Sequence, residues 1–446
     1  MINKLRNFLN RVIENELIRR ILKNSGYLFS ATGISAGMSM VQSILAGRLL
    51  GPATFGVLGA MTQFTSVVNR FASFRIDELV VRYVGHYEEQ GDHTRAAAVF
   101  KLAAALEIFG SVLAFCLIWG LAPLGAQFFT HDSNLADWFR VYGLIVLANL
   151  IYESATGLLQ IFDRFRVIAL TMVGQAAITL VLVVVVFIAG MDLRGVIVAY
   201  MAGKVLGSAV VTFAAITQAW RAWGSGWWKT PLMTLKTESR TLLTFAFSTN
   251  LSSTVSLISK DSEVLWVSAF LGTEQAGYYK TALALSNILQ LPVSPLPKAT
   301  FPELAREIAR KNWKNVRYVI RQGSRLAAAY SLPVTLFLVL FGRWAIHLTY
   351  GVEYTPSYEP LILLLLGFTF VNIFYWNRVA LLSLARPVFP TIVNFTGMVL
   401  KISLIFLLVP RYGYMAFAAL LAGYYVFTVG IAAARVYIDL RAREHK

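Results

Sequence analysis

Stretches of about 20 predominantly apolar residues recur from one end of this sequence to the other, each long enough to cross a hydrocarbon core about 30 Å thick as a helix. We place spans near 25 to 47, 54 to 76, 99 to 121, 138 to 160, 166 to 190, 194 to 218, 244 to 270, 276 to 298, 324 to 348, 359 to 383, 388 to 409 and 414 to 435. The runs are continuous rather than alternating, and each segment in lipid must satisfy its own backbone hydrogen bonds, which selects helices over barrel strands. Only 14% of the 446 residues are charged and 57% are apolar, against about 25% charged in an average soluble domain. The expected fold is an all-α polytopic membrane protein of about 12 transmembrane helices.

A net charge of +17 would suggest nucleic acid in a soluble protein, but its distribution points to membrane topology. About 30 of the 40 Lys and Arg residues fall in the N-terminus, alternate loops and the C-terminal tail, whereas the other loops hold a handful such as Arg48, Arg194, Arg343 and Arg411. By the positive-inside rule both termini are cytoplasmic, which requires an even number of spans. The first apolar run follows a basic segment and is too long for a signal-peptide core, so it inserts as a span. The lone Cys116 excludes an intrachain disulfide or a cysteine metal site.

Repetition organises the chain. LGPATFGV at 50 to 57 returns as LGTEQAGY at 271 to 278, a shift of 221 that matches Leu50, Gly51 and Gly56 to Leu271, Gly272 and Gly277. The same shift sets Gly195 opposite Ala416 and nearly sets Arg164 opposite Arg386. Six spans per half give both halves one topology, related by an axis along the membrane normal, with a cleft between them. The expected organisation is a basic amphipathic cytoplasmic N-terminus (1–24), an N-lobe (25–218), a cytoplasmic linker (219–243), a C-lobe (244–435) and a cytoplasmic tail (436–446). A second basic amphipathic stretch, 303 to 323, is expected on the membrane surface.

Polar stripes mark the helices that line the cleft. Thr32, Ser35, Ser39 and Gln42 recur every three or four residues in the first span and share one face. At the repeat shift the seventh span carries Ser253, Ser256, Lys260 and Glu263, with Thr249 one turn earlier. The second span has Ser66, Asn69, Ser73 and Asp77, and the eighth has Asn287, Gln290, Ser294 and Lys298. Hydroxyl and amide side chains also join helices to one another. Charges narrow the choice: Lys260, Asp261 and Glu263 each cost about 2.5 to 3.5 kcal/mol at the bilayer centre, so they face water, one another or charges on another helix. A Lys260–Glu263 bridge within the stripe is the structural alternative to substrate contact. Arg70 offers a bidentate fork to a diphosphate, or snorkels to the interface. The expected headgroup site is therefore Arg70, Lys260, Asn69, Ser66, Asn287 and Gln290, with Ser35, Ser39, Gln42, Asp261, Glu263 and Ser256 as further lining or ion-coupling residues. Glu107 and Glu153, inside the third and fourth spans, are candidate proton carriers or paired groups within a lobe.

Gly33 and Gly37 suit close helix packing. The sequence contains no G-x-x-x-x-G-K-[ST] and no H-E-x-x-H, and its five His show no ligand spacing. Neither a catalytic residue nor a metal site is expected, and no cofactor.

NSGYLFSATG at 24 to 33, LLGPATFGVLG at 49 to 59, DELVVRYVG at 77 to 85 and FPELA at 301 to 305 together resemble the Wzx-type repeat-unit flippases of the multidrug/oligosaccharidyl-lipid/polysaccharide (MOP) exporter superfamily, over nearly the whole chain. The resemblance implies two six-helix bundles around a central cavity that opens alternately to each face of the bacterial cytoplasmic (inner) membrane. It implies movement of undecaprenyl-diphosphate-linked oligosaccharide units of O-antigen, capsule or exopolysaccharide, coupled to an ion gradient, with a polysaccharide polymerase and export components as further partners. The first span lacks the acidic residue that proton-coupled drug exporters of the superfamily commonly keep, and the final helix pair of the fourteen-helix lipid II flippases is absent. A multidrug exporter is the first alternative. A membrane glycan polymerase or ligase is the second, but the outer loops offer only HDSNLAD at 131 to 137 and GVEYTPSYEP at 351 to 360.

Overall fold

A computed structural model describes residues 16–72, 76–235, 257–386 and 388–444, with side chains from Gly26 to Arg443; among them every regular element is a helix. Span lengths match the lipid argument: Phe165–Ile188, 24 residues, is about 36 Å long at 1.5 Å per residue. Large apolar side chains such as Ile188, Phe213, Leu124 and Leu340 point outward, between 64% and 79% exposed, the pattern expected where the outer solvent is hydrocarbon.

The repeat visible in the sequence is written again in the backbone. Apart from Gly224 in the linker, the left-handed or otherwise positive-φ residues fall at Gly51, Gly91, His131, Asp163 and Gly190 in the first half, and at Gly272, Lys311, Gly351, Ala385 and Gly413 in the second, among the described residues. Each pair keeps the sequence shift to within two residues. Five turns per lobe join six spans per lobe, which gives the 12 expected, although by length and composition nine of the described helices qualify as membrane spans. Three causes reduce that count. Spans 1 and 2 run together as Glu16–Ala72, kinked at Gly51 (φ 67, ψ 169), span 8 has only 15 residues of regular helix, and span 7 is described only from residue 257 onward. Its described part is Leu257–Asp261 and Glu263–Leu271, followed by Gly272 (φ 94, ψ 173) and span 8, Thr273–Asn287. Gly51 and Gly272 adopt a conformation open essentially to glycine alone.

Some expected boundaries shift. Span 1 is already helical from Glu16, and span 12, Tyr414–Glu444, continues through the stretch expected as a separate tail. The basic stretch 303 to 323 is not one surface helix: its first part closes Leu296–Ala309, which extends span 8, and the rest opens span 9, Trp313–Thr349. Spans 4 and 10 are each broken at repeat-related points. Span 4 is Ala136–Gly143, Leu144–Asn149 and Tyr152–Ile161; span 10 is Tyr358–Ile373 and Asn377–Ser383.

The buried apolar residues form three cores, and their membership fixes the shape. One core draws on both lobes, from Ala46, Phe55 and Phe64 to Leu265, Tyr279, Tyr350 and Phe417. A second contains residues of the N-lobe such as Leu79, Phe100 and Leu158, with Ala219 and Leu235 of the linker and none of the C-lobe. The third contains only C-lobe residues such as Leu304, Trp376 and Val436. The shared core lies at the end carrying the span 1–2 and 7–8 turns, and the separate cores lie at the end carrying the basic loops. Among the described residues the lobes thus share a core at one end and pack separately at the other.

Fusion rests on the repeated glycines. A Cβ on Gly56 would stand 1.7 Å from the Thr273 carbonyl oxygen, and one on Gly277 would stand 2.0 Å from that of Pro52. Each corner of one lobe therefore seats against the equivalent corner of the other. Around them Tyr354 Oη donates to Gly47 O at 2.8 Å, Arg48 donates to Leu348 O at 3.0 Å, and Ser268 Oγ donates to Phe129 O at 2.5 Å. Lys280 of span 8 lays its ammonium 3.8 Å from the centroid of the Phe55 ring, in space that Gly59 leaves open.

Candidate functional site

Where the shared core gives way to the open end, spans 2 and 7 face each other across the lobe boundary. Arg70 Nη1 donates to Asp261 Oδ2 at 2.7 Å. Two turns before Arg70, the Gln63 amide clasps the partner backbone, donating to Asp261 O and accepting from Leu265 N, both at 3.0 Å. A wider π-helical turn at Leu257–Asp261 frees backbone groups of span 7 from the regular ladder, so a side chain from another helix can reach them. Arg70 is thus ion-paired across the lobe boundary in this conformation, with its side chain 44% exposed.

Glu263 is fully buried and takes no part in a bridge to Lys260. Its carboxylate is ion-paired with Lys401 of span 11 and accepts from Tyr279 Oη at 2.9 Å. The Lys401 ammonium also donates to Ser259 O at 2.7 Å. Such a pair offsets its desolvation only when the remaining polar valences are filled, as they are here.

Lys260 instead reaches a C-lobe cavity of about 330 Å³, together with Asn377, Arg378, Thr391, Asn394, Tyr424 and Thr428. Lys260 and Arg378 are exposed and make no ion pair among the described residues. Ser35, Ser39 and Gln42 line a second cavity, about 350 Å³, in the N-lobe, with Tyr142, Tyr152, Gln175, Thr179, Tyr200 and Lys204. There Gln42 is buried and donates to Ala176 O at 2.8 Å. Ser35 Oγ is enclosed with no hydrogen-bond partner among the described residues, and the Lys204 ammonium sits 4.7 Å from the centroid of the Tyr152 ring.

Ser66 and Asn287 are exposed and Asn69 and Gln290 half-buried, but none of the four lines either cavity. Ser256, with Ser253, Thr249 and Ser73, lies outside the described residues. Glu107 caps the broken fourth span, accepting from Glu153 N, Ser154 N and Ser154 Oγ at 2.7 to 2.8 Å. Glu153 in turn accepts from Ile76 N at 3.2 Å. Both acids therefore hold the N-lobe together. Sequence reasoning missed Lys204, Lys280, Arg378 and Lys401. Three of these four interrupt apolar runs just as Lys260 does, so the same signal would have found Lys204, Lys280 and Lys401.

Comparison with known proteins now adds the lineage. A family described as "Polysaccharide biosynthesis protein" matches residues 21–308. The inner membrane protein YghQ of Escherichia coli (strain K12) is 24% identical over 344 residues, covering 76% of this chain and 95% of that one. Among solved structures, an inward-facing multidrug resistance MATE family transporter of the MOP superfamily superposes with a TM-score of 0.76 at 14% identity, over 92% of this chain and 96% of that one. The lipid II flippase MurJ in an inward closed conformation gives 0.71 at 16% identity, over 92% and 87%.

Proposed function

The chain belongs to the polysaccharide biosynthesis protein family and has the MOP exporter fold, and from that premise we propose that it flips polyprenyl-diphosphate-linked oligosaccharide units across the bacterial cytoplasmic membrane. The observation that carries this reading is a cationic, hydroxyl- and amide-lined cavity in the C-lobe, with lobes that share one core at one end and, among the described residues, pack separately at their basic end. With the basic loops cytoplasmic, this conformation receives a headgroup from the cytoplasmic leaflet while the polyprenyl tail stays in lipid. Lys260 meets the diphosphate. Arg70, held by Asp261 while the outer end is sealed, is released when the lobes rock and the sealed end parts. No bond is made or broken. Direction comes from an ion gradient or from consumption of the product on the far side, through differential affinity of the two conformations.

The test uses purified protein in liposomes that carry a fluorescent undecaprenyl-diphosphate oligosaccharide. Protein-dependent movement to the inner leaflet is expected, reduced in Lys260→Ala and Arg70→Ala. Movement unaffected by both substitutions would keep the flippase and remove these residues from its path. No movement, with efflux of small cationic dyes from the same vesicles, would replace the reading with that of a drug exporter.

A further inference from the structure

The two cavities are repeats of one another. The N-lobe cavity is walled by spans 1, 4, 5 and 6, and the C-lobe cavity by spans 7, 10, 11 and 12. Ser39 and Lys260 stand at equivalent positions, as do Lys204 and Tyr425. Their chemistry has diverged. The C-lobe cavity presents two cations, Lys260 and Arg378, among asparagine and threonine side chains. The N-lobe cavity presents the rings of Tyr142, Tyr152 and Tyr200 with the amides of Gln42 and Gln175, and its one cation is turned onto the Tyr152 ring.

Their depths differ as well. At the 221-residue shift Tyr152 corresponds to Ile373 and Lys204 to Tyr425, yet the C-lobe cavity continues past these to Arg378 and Leu382 on span 10 and to Thr428 and Ala432 on span 12. Both spans run toward the basic end. The C-lobe cavity therefore sits about 5 to 10 Å nearer the open mouth, at 1.5 Å per residue.

We propose that the cavities divide one headgroup between them: the C-lobe cavity binds the diphosphate through Lys260 and Arg378, and the N-lobe cavity binds the attached saccharide against Tyr152, Tyr200 and Gln175. This rests on the flippase reading and extends it to which part of the substrate lies where. Two arguments carry it. A diphosphate needs convergent cations with amide and hydroxyl donors, whereas a sugar ring offers hydroxyls to amides and C–H faces to aromatic rings. The order in depth also matches the ligand, because the diphosphate is tied to a tail in the membrane and stays near the mouth while the free saccharide reaches deeper. The enclosed Ser35 hydroxyl, without a partner among the described residues, is a polar group that a sugar hydroxyl would satisfy. Specificity for the glycan then resides in the N-lobe, and affinity for the carrier in the C-lobe.

The experiment measures binding of two probes to the full chain in nanodiscs: a short polyprenyl diphosphate without sugar, and the same carrier bearing a disaccharide. Lys260→Gln and Arg378→Gln are each expected to weaken both probes about tenfold, the usual loss for one charged hydrogen bond, with Lys260→Arg restoring affinity. Ser39→Trp, which fills the N-lobe cavity, is expected to weaken only the disaccharide probe, and this selectivity itself reports a folded protein. Equal loss of both probes in Ser39→Trp, in protein whose thermal unfolding matches that of the parent, would overturn the division. So would unchanged binding of the bare diphosphate in Lys260→Gln and Arg378→Gln, even though transport of the full substrate persists. Wild-type protein that binds neither probe would overturn the flippase reading as well.

Discussion

A carboxylate and an ammonium sealed from solvent make the Glu263–Lys401 pair the group most sensitive to single substitution. Lys401→Met leaves Glu263 buried and uncompensated, and should destabilise the protein by about 3 to 5 kcal/mol. Lys401→Met combined with Glu263→Gln should recover much of that loss, and thermal unfolding in detergent would read both. Arg70 and Asp261 behave differently. Their side chains are 44% and 37% exposed, so solvent screens the pair to about 0.2 to 1 kcal/mol, and Arg70→Ala should barely move the melting temperature. Transport should nevertheless fall, and the exchanged pair Arg70→Asp with Asp261→Arg should regain part of it; a large melting shift with transport intact would mean that the pair is merely structural. The sequence revealed that charges in span 7 need polar company. It could not reveal which company, because the partners come from span 2, 191 positions away, and span 11, 138 positions away.

At the scale of elements, glycine spacing was the legible signal and its cause was hidden. The LG….G pattern at 50 to 56 and 271 to 277 marked a repeat, but only folding brings Gly56 onto Thr273 and Gly277 onto Pro52. Gly56→Val should force the corners apart and unseal that end. In a Cys116→Ala background, a cysteine at Ser43, which contacts Tyr350 Oη at 3.1 Å, should then react with an impermeant thiol reagent from the side that is sealed in the parent. The break in span 4 was not legible, since the residues at it, LIVLANLI at 144 to 151, are apolar apart from Asn149 and contain neither Gly nor Pro. It exists because Glu107 fills the first amide groups of Tyr152–Ile161, the task an N-cap performs in water. Glu107→Ala should cost about 2 to 3 kcal/mol through amides left unpaired, measurable as a lowered melting temperature, with no change in the ion dependence of transport.

Across the whole molecule the twelve spans, the two lobes and the cleft followed from hydropathy, charge placement and the 221-residue shift, because lipid leaves a helix few other options. Which end is closed did not follow, since that depends on packing between residues far apart in the chain. Cysteines at Asn69, Asn287 and Asn394 should label rapidly from the basic side, and one at Gly47, beneath Tyr350 and Tyr354, slowly; the reverse order would mean that the resting protein faces outward.

The reciprocal glycine contact reaches beyond this chain. Gly56 touches the residue equivalent to Pro52, and Gly277 touches Pro52 itself, so the lobe boundary is self-complementary in the manner of an isologous two-fold interface. A surface of that kind can join two identical partners. A single six-helix half carrying this corner would already have had the means to pair with a copy of itself, and tethering two copies in one chain then freed each cavity to specialise while the seam between them kept its symmetry.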